Sequence, residues 1–205
     1  VIRGTYNAWN PIVRRYQLNI AKPAFVERLR IAVASDLHLG SFVGKRYLQT
    51  FVTAVNALRP DVILLVGDIV EEELEPFERN DMGRSLQQLR AKHGVFGVVG
   101  NHEYIGGQAD DIVERLQSVG IRMLLDEHVQ IASSITLVGR KDRMAESQPA
   151  DGRKTWGELL ESVDFSQPVL VMDHQPTELR QAEAAGVDLI LSGHTHRGQL
   201  APNHW

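Results

Sequence analysis

Five short polar clusters hold the residues whose types and spacing could do chemistry. They are Ser35-Asp36-Leu37-His38, Gly67-Asp68, Gly100-Asn101-His102-Glu103, Asp173-His174 and Ser192-Gly193-His194-Thr195-His196. Five of the chain's eight histidines lie in these clusters, while His93, His128 and His204 lie outside them. Imidazole and carboxylate without thiolate suit Mn, Fe, Zn or Ni and leave soft copper sites out. The chain has no cysteine, which also excludes disulfides and a cysteine nucleophile. Asp36, His38, Asp68, Asn101, His174, His194 and His196 make seven candidate ligands, too many for one divalent ion with an open position. They suit two ions that share a bridging carboxylate. Two such ions ~3.5–4 Å apart can hold a hydroxide between them and polarise a phosphoryl oxygen, favouring both sides of an in-line displacement. Gly67, Gly100 and Gly193 let the backbone come close to such a cluster.

Taken singly, each cluster has a plain structural meaning. Asp36 and His38 suit a turn, Asp68 suits a cap for the next segment, and Asn101 tolerates a left-handed backbone. A lone His174 suits a hydrogen-bonded structural histidine, and His194 with His196 share a side of a strand by simple alternation. The combination is what points to a site, because each cluster directly follows a strand-like apolar run.

Those runs cover residues 31–34, 62–66, 95–99, 135–138, 169–172 and 187–191. Amphipathic helical patterns cover 46–58, 83–92, 110–119, 156–163 and 178–185. Continuous apolar strands separated by helices predict sheets covered on their faces, an α/β architecture. Ligands of open α/β sheets sit beyond the carboxyl ends of the strands, so the five clusters can converge there. Segment 141–154 is polar and turn-rich and reads as a long loop. At 205 residues the chain suits one domain, spanning 1–205. A formal net charge of -4 and the lack of a basic, aromatic-laced stripe argue against a nucleic-acid partner. No apolar run approaches the ~20 residues of a membrane span.

The clusters, taken in order, resemble the D-x-H, G-D, G-N-H-[DE], H and G-H-x-H signature of the calcineurin-like metallophosphoesterase superfamily. The longer stretches around Asp36, Asn101 and His194 are similar to a bacterial branch of YkuE and YaeI type, often secreted or anchored by N-terminal membrane helices. The resemblance implies two β-sheets sandwiched between helices, and two divalent metal ions with Mn favoured. It implies that Asp36, His38 and His196 hold one ion, that Asn101, His174 and His194 hold the other, and that Asp68 bridges. It implies that Asn101 and His102 face the substrate phosphate and that His102 protonates the leaving oxygen, a task its near-neutral intrinsic pKa suits. The implied activity is hydrolysis of phosphodiester or pyrophosphate bonds by attack of a metal-bound hydroxide. The alternatives are a phosphomonoesterase or protein phosphatase, and a non-catalytic metal-binding scaffold of the same fold. The implied substrate is a small phosphate ester or a phospholipid-type molecule.

Departures from the family pattern sharpen these expectations. Protein phosphatases continue the second block as G-D-x-V-D-R-G, with the arginine gripping phosphate. Here Glu71 falls where an aspartate would orient the histidine, and Glu72 replaces the arginine, which lowers the phosphoprotein reading. In Gly139-Arg140-Lys141-Asp142-Arg143 the basic residues are either surface charge or a grip on an anionic substrate. Arg197, directly after His196, either reaches a phosphate or faces solvent. Sheets of this superfamily continue after the G-H-x-H block, whereas only nine residues follow His196. The chain is therefore expected to be part of a longer protein, with a C-terminal portion of the sheet missing and room for an N-terminal membrane anchor. Its expected setting is a soluble domain, extracytoplasmic or membrane-anchored in the full-length protein.

Overall fold

The computed structural model describes residues 12–147 and 152–196. The first half builds a four-stranded parallel sheet in the order β1 (Ile31–Ala34), β2 (Val62–Val66), β3 (Val95–Val98), β4 (Ile121–Met123). The second half builds another four-stranded sheet, β5 (Glu127–Ile131), β6 (Ile135–Gly139), β7 (Val169–Met172), β8 (Leu189–Leu191), parallel except for the β5–β6 hairpin. Helices α1 (Lys45–Ala57), α2 (Leu74–Arg79), α3 (Met82–Leu86), α4 (Asn101–Ile105) and α5 (Ala109–Ser118) lie in the first half, and α6 (Trp156–Leu160) and α7 (Leu179–Ala184) in the second.

Three apolar cores stack these elements into layers. Strand β2 shows why a continuous apolar run is needed. Ile63 and Leu65 face a core shared with Leu48, Phe51 and Leu116 of the helices, while Val62, Leu64 and Val66 face Leu137, Leu170 and Met172 of the second sheet. Alternation along the strand buries both faces, which a half-exposed sheet would not require. A third core joins Val138, Val169 and Val171 to Trp156, Leu159, Leu160 and Ala182. The layer order is thus helix, sheet, sheet, helix, the sandwich the resemblance implies.

Several elements differ from the sequence reading. The helix expected over 83–92 is confined to α3. The Asn56 side chain donates to Gln88 O at 2.8 Å and accepts from Arg90 N at 2.8 Å, capturing backbone groups that a longer helix would pair internally. Strands β4 and β5 had no counterpart among the expected runs. The first has three residues around an exposed Arg122, and the second alternates polar and apolar residues at the outer edge of its sheet. Segment 141–154 is loop apart from a 3-10 turn at Arg143–Ser147.

Candidate metal centre

All five polar clusters sit at the carboxyl ends of β1, β2, β3, β7 and β8. Adjacent parallel strands bring them level: Asp36 N donates to Gly67 O, His38 N to Asp68 O, and Gly193 N to His174 O, at 3.1, 2.9 and 2.9 Å. The two sheets meet through side chains, with His194 N donating to Asp36 Oδ1 at 2.9 Å and His174 Nδ1 lying 2.8 Å from Val66 O.

Two groups of donor atoms result. Asp36, His38 and His196 form one, with His196 Nε2 3.4 Å from both Asp36 Oδ1 and His38 Nε2. Asp68, His174 and His194 form the other, and Asn101 Oδ1 lies 2.8 Å from His194 Nδ1. Within each group the donor atoms lie within 4.8 Å of one another. Asp68 Oδ2 stands between the groups, 3.1 Å from His174 Nε2 and 3.9 Å from His38 Nε2. Its other oxygen accepts His102 N at 3.0 Å, which ties the start of α4 to the same carboxylate.

The donor set fits a cation. The buried His174 Nε2 has no partner of hydrogen-bonding geometry, and the ion pairs described for Asp36 and Asp68 are with histidines alone. Burial pulls the His174 pKa down, but the Asp68 carboxylate beside it, Val66 O and the more distant Asp36 reverse this and raise it to about 9. Burial likewise pushes the Asp68 carboxyl up, and its contacts with His174 and His102 bring it below the ordinary range. This surrounding potential favours positive charge between the two residues. Backbone strain concentrates in the same place. Asp36, His38, Asp68, His194 and His196 are five of the eleven described non-glycine residues with positive φ. Such conformations cluster where a site over-determines its residues.

Glu71 explains how His102 is held. Its backbone N donates to Leu39 O at 3.0 Å, which sets its side chain between two rings. Glu71 Oε1 lies 2.7 Å from His102 Nδ1, and Oε2 lies 3.1 Å from His38 Nδ1. The two rings meet edge to face, with centroids 4.6 Å apart. Glu72 adds a second carboxylate 3.8 Å from His102 Nδ1.

Glu103 had no assigned role in the sequence reading, although it closes the G-N-H-[DE] block. It is fully buried, and its carboxylate accepts Ile69 N at 2.6 Å, Gly100 N at 2.8 Å, and Asp68 N and Val70 N at 3.1 Å. Burial, then the Asp68 charge, push its pKa up to about 7 against these four donors. Glu103 therefore shapes the loop that presents Asp68. The basic stretch after β6 fits neither sequence alternative in full. Arg140 and Lys141 are buried, and Arg140 is taken up by Asp173, Glu178 and Trp156. Arg197 lies outside the described residues.

The close approach expected at the glycines is present. A Cβ on Gly100 would lie 2.6 Å from Asp68 N and 2.8 Å from the His174 ring, although the Gly100 backbone is ordinary extended chain. Gly100→Ala should therefore destabilise the metal-free protein by about 1–3 kcal/mol through overpacking alone. Urea unfolding in chelator checks this, and an unchanged midpoint would contradict the packing described.

Fold and site together define a class: a two-sheet α/β sandwich with an Asp, Asn and His cluster suited to divalent cations. The chain belongs to the calcineurin-like phosphoesterase family, whose sequence profile matches residues 29–198. An uncharacterized metallophosphoesterase of Helicobacter pylori strain J99 is 34% identical over 177 residues, which cover 86% of this chain and 46% of that protein. A transmembrane protein with metallophosphoesterase domain from Danio rerio is 32% identical over 190 residues, covering 88% of this chain and 43% of that protein. YkuE of Bacillus subtilis is 26% identical over 183 residues, covering 87% and 62%. The chain thus spans about half the length of the first two relatives. The crystal structure of TT1561 from Thermus thermophilus shares the fold, with a TM-score of 0.58 at 13% identity over 80% of this chain and 81% of that one. Among the described residues no helix is long and apolar enough to cross a membrane.

Proposed function

We propose that the chain is the hydrolytic domain of a dinuclear-metal phosphoesterase that cleaves phosphodiester or pyrophosphate bonds. The observation that carries this reading is the place of Asp68, whose carboxylate lies between two separate groups of cation donors. Asp36, His38 and His196 hold one ion, Asn101, His174 and His194 the other, and Asp68 serves both. When bound, the two ions, of which Mn is the favoured pair, supply an activated water and neutralise charge on the phosphoryl group.

The remaining work falls to the chain's own residues. His102, with Nδ1 held by Glu71, gives a proton to the departing oxygen. Asn101 and His102 at the start of α4 orient the phosphate, and Arg197 is assigned to the same task. Glu71 and Glu72 place negative charge beside His102, which disfavours a phosphomonoester dianion relative to a diester monoanion. The relatives named as transmembrane proteins support a further reading, in which this domain is soluble and belongs to a longer, membrane-anchored or extracytoplasmic protein. A small phosphate ester or a phospholipid-type molecule would then be its substrate.

With Mn supplied, turnover of bis-p-nitrophenyl phosphate should exceed that of a phosphoserine peptide by at least tenfold in kcat/KM. A faster phosphopeptide reaction under identical loading would overturn the diester reading.

A further inference from the structure

A buried ionic cluster lies behind the candidate metal centre, and no step proposed above uses it. The Arg153 and Arg140 side chains are only 1% and 3% exposed, yet both point at one carboxylate. Arg153 Nη2 lies 2.6 Å and Arg140 Nη1 3.3 Å from Asp173 Oδ2. Asp173 directly precedes His174. On the other side of His174, Gln175 Nε2 donates to Asp142 Oδ1 at 3.0 Å.

Both neighbours of His174 are thus held by one segment, 141–154. The Asp126 carboxylate closes that segment, accepting Lys141 N at 2.9 Å and Lys154 N at 2.7 Å. This closure carries Asp142 inward at one end and Arg153 inward at the other. Arg140 braces the arrangement through Glu178 at 2.8 Å and the face of Trp156 at 4.1 Å.

The cluster is poorly explained as a source of stability. Arg140 Nε, Arg153 Nε, Asp142 Oδ2 and Asp173 Oδ1 are all buried without partners. Apolar replacements of similar volume often hold a fold as well as buried ion pairs do, and unmade buried hydrogen bonds are unfavourable. What such a network does supply is a fixed position, and outer-shell contacts of that kind tune cation affinity. No contact described for Asp36, His38 or His196 reaches this segment.

We propose that Arg153, with Arg140 and Asp142, forms a clamp that positions His174 and so sets the cation affinity of the Asn101, His174 and His194 side of the centre. Arg153 is a positioning residue, and segment 141–154 is part of the scaffold of that half-site. The inference rests on the two-cation reading above.

Co(II) alone is a sufficient probe, followed by absorption and elemental analysis of the full chain. Arg153→Ala leaves Asp173 paired with Arg140, so the fold should survive, as thermal unfolding would show. After dialysis against limiting Co(II) the wild type should retain two ions and Arg153→Ala close to one, with Arg153→Lys between them. The affinity lost should be about tenfold or more. The loss should appear in a His38→Ala background, which isolates the His174 side, and be absent in a His194→Ala background, which isolates the other. Equal loss in both backgrounds, or retention of both ions by Arg153→Ala, overturns the clamp. A wild type that never binds two ions would instead overturn the two-cation reading, so the two failures are distinguishable.

Discussion

Replacing Asp68 with Ala is expected to leave fewer than two ions per chain and to remove nearly all phosphoester turnover. The side chain is buried, so water cannot take the place of its carboxylate without repacking. Its Oδ2 faces His174 and His38 across the two donor groups, and its removal takes a ligand from each side and the shared negative charge from between them. The change also frees His102 N, which Oδ1 accepts at 3.0 Å, and leaves a partly buried donor unpaired. Asp68→Asn separates these effects. An amide keeps the volume and the bond to His102 N but lacks the charge, so it should preserve the fold and still lose an ion. Elemental analysis after gel filtration reads both variants, and two ions retained in Asp68→Ala would remove the bridging assignment.

His102→Ala is expected to behave in the opposite way, keeping two ions while turnover falls by about a hundred- to ten-thousand-fold, as when a general acid is lost. The prediction is demanding because one ring nitrogen of His102 lies within 4.8 Å of donor atoms of His38 and Asp68. A ligand role would show as metal loss. The proton-donor role instead requires that the defect shrink as the leaving group improves, since a nitrophenolate departs with little need of a proton. Glu71→Gln should give a smaller version of the same pattern, because the amide no longer draws Nδ1–H of both His102 and His38 toward one carboxylate. A defect of equal size for good and poor leaving groups would contradict the assignment.

Much of this arrangement was legible in the residues, for identifiable reasons. Strand β2 reads from its composition because burial on both faces leaves no room for a polar residue. The five polar clusters read as one site because parallel strands place their carboxyl ends side by side. Other parts depend on contacts distant in sequence. The end of α3 is set by Asn56, 32 residues before Gln88, and no local pattern announces it. Strand β5 carries Glu127, His128 and Gln130 on an edge, so its apolar content is too thin to stand out. The roles of Glu103, Arg140, Arg153 and Asp142 were hidden for a different reason. Charged side chains are exposed by default, and only the closed fold shows that these are buried and paired. Glu103 alone carried a signal, its place beside His102.

The central claim is that one centre built from Asp36, His38, Asp68, Asn101, His174, His194 and His196 takes two cations and that both are needed for hydrolysis. Stepwise addition of Mn to the metal-free protein, with bound metal and bis-p-nitrophenyl phosphate turnover followed together, tests it most directly. Turnover should stay near zero through the first equivalent and rise to its plateau as the second is taken up. Full turnover at one equivalent, or turnover that is independent of added metal, would contradict the account.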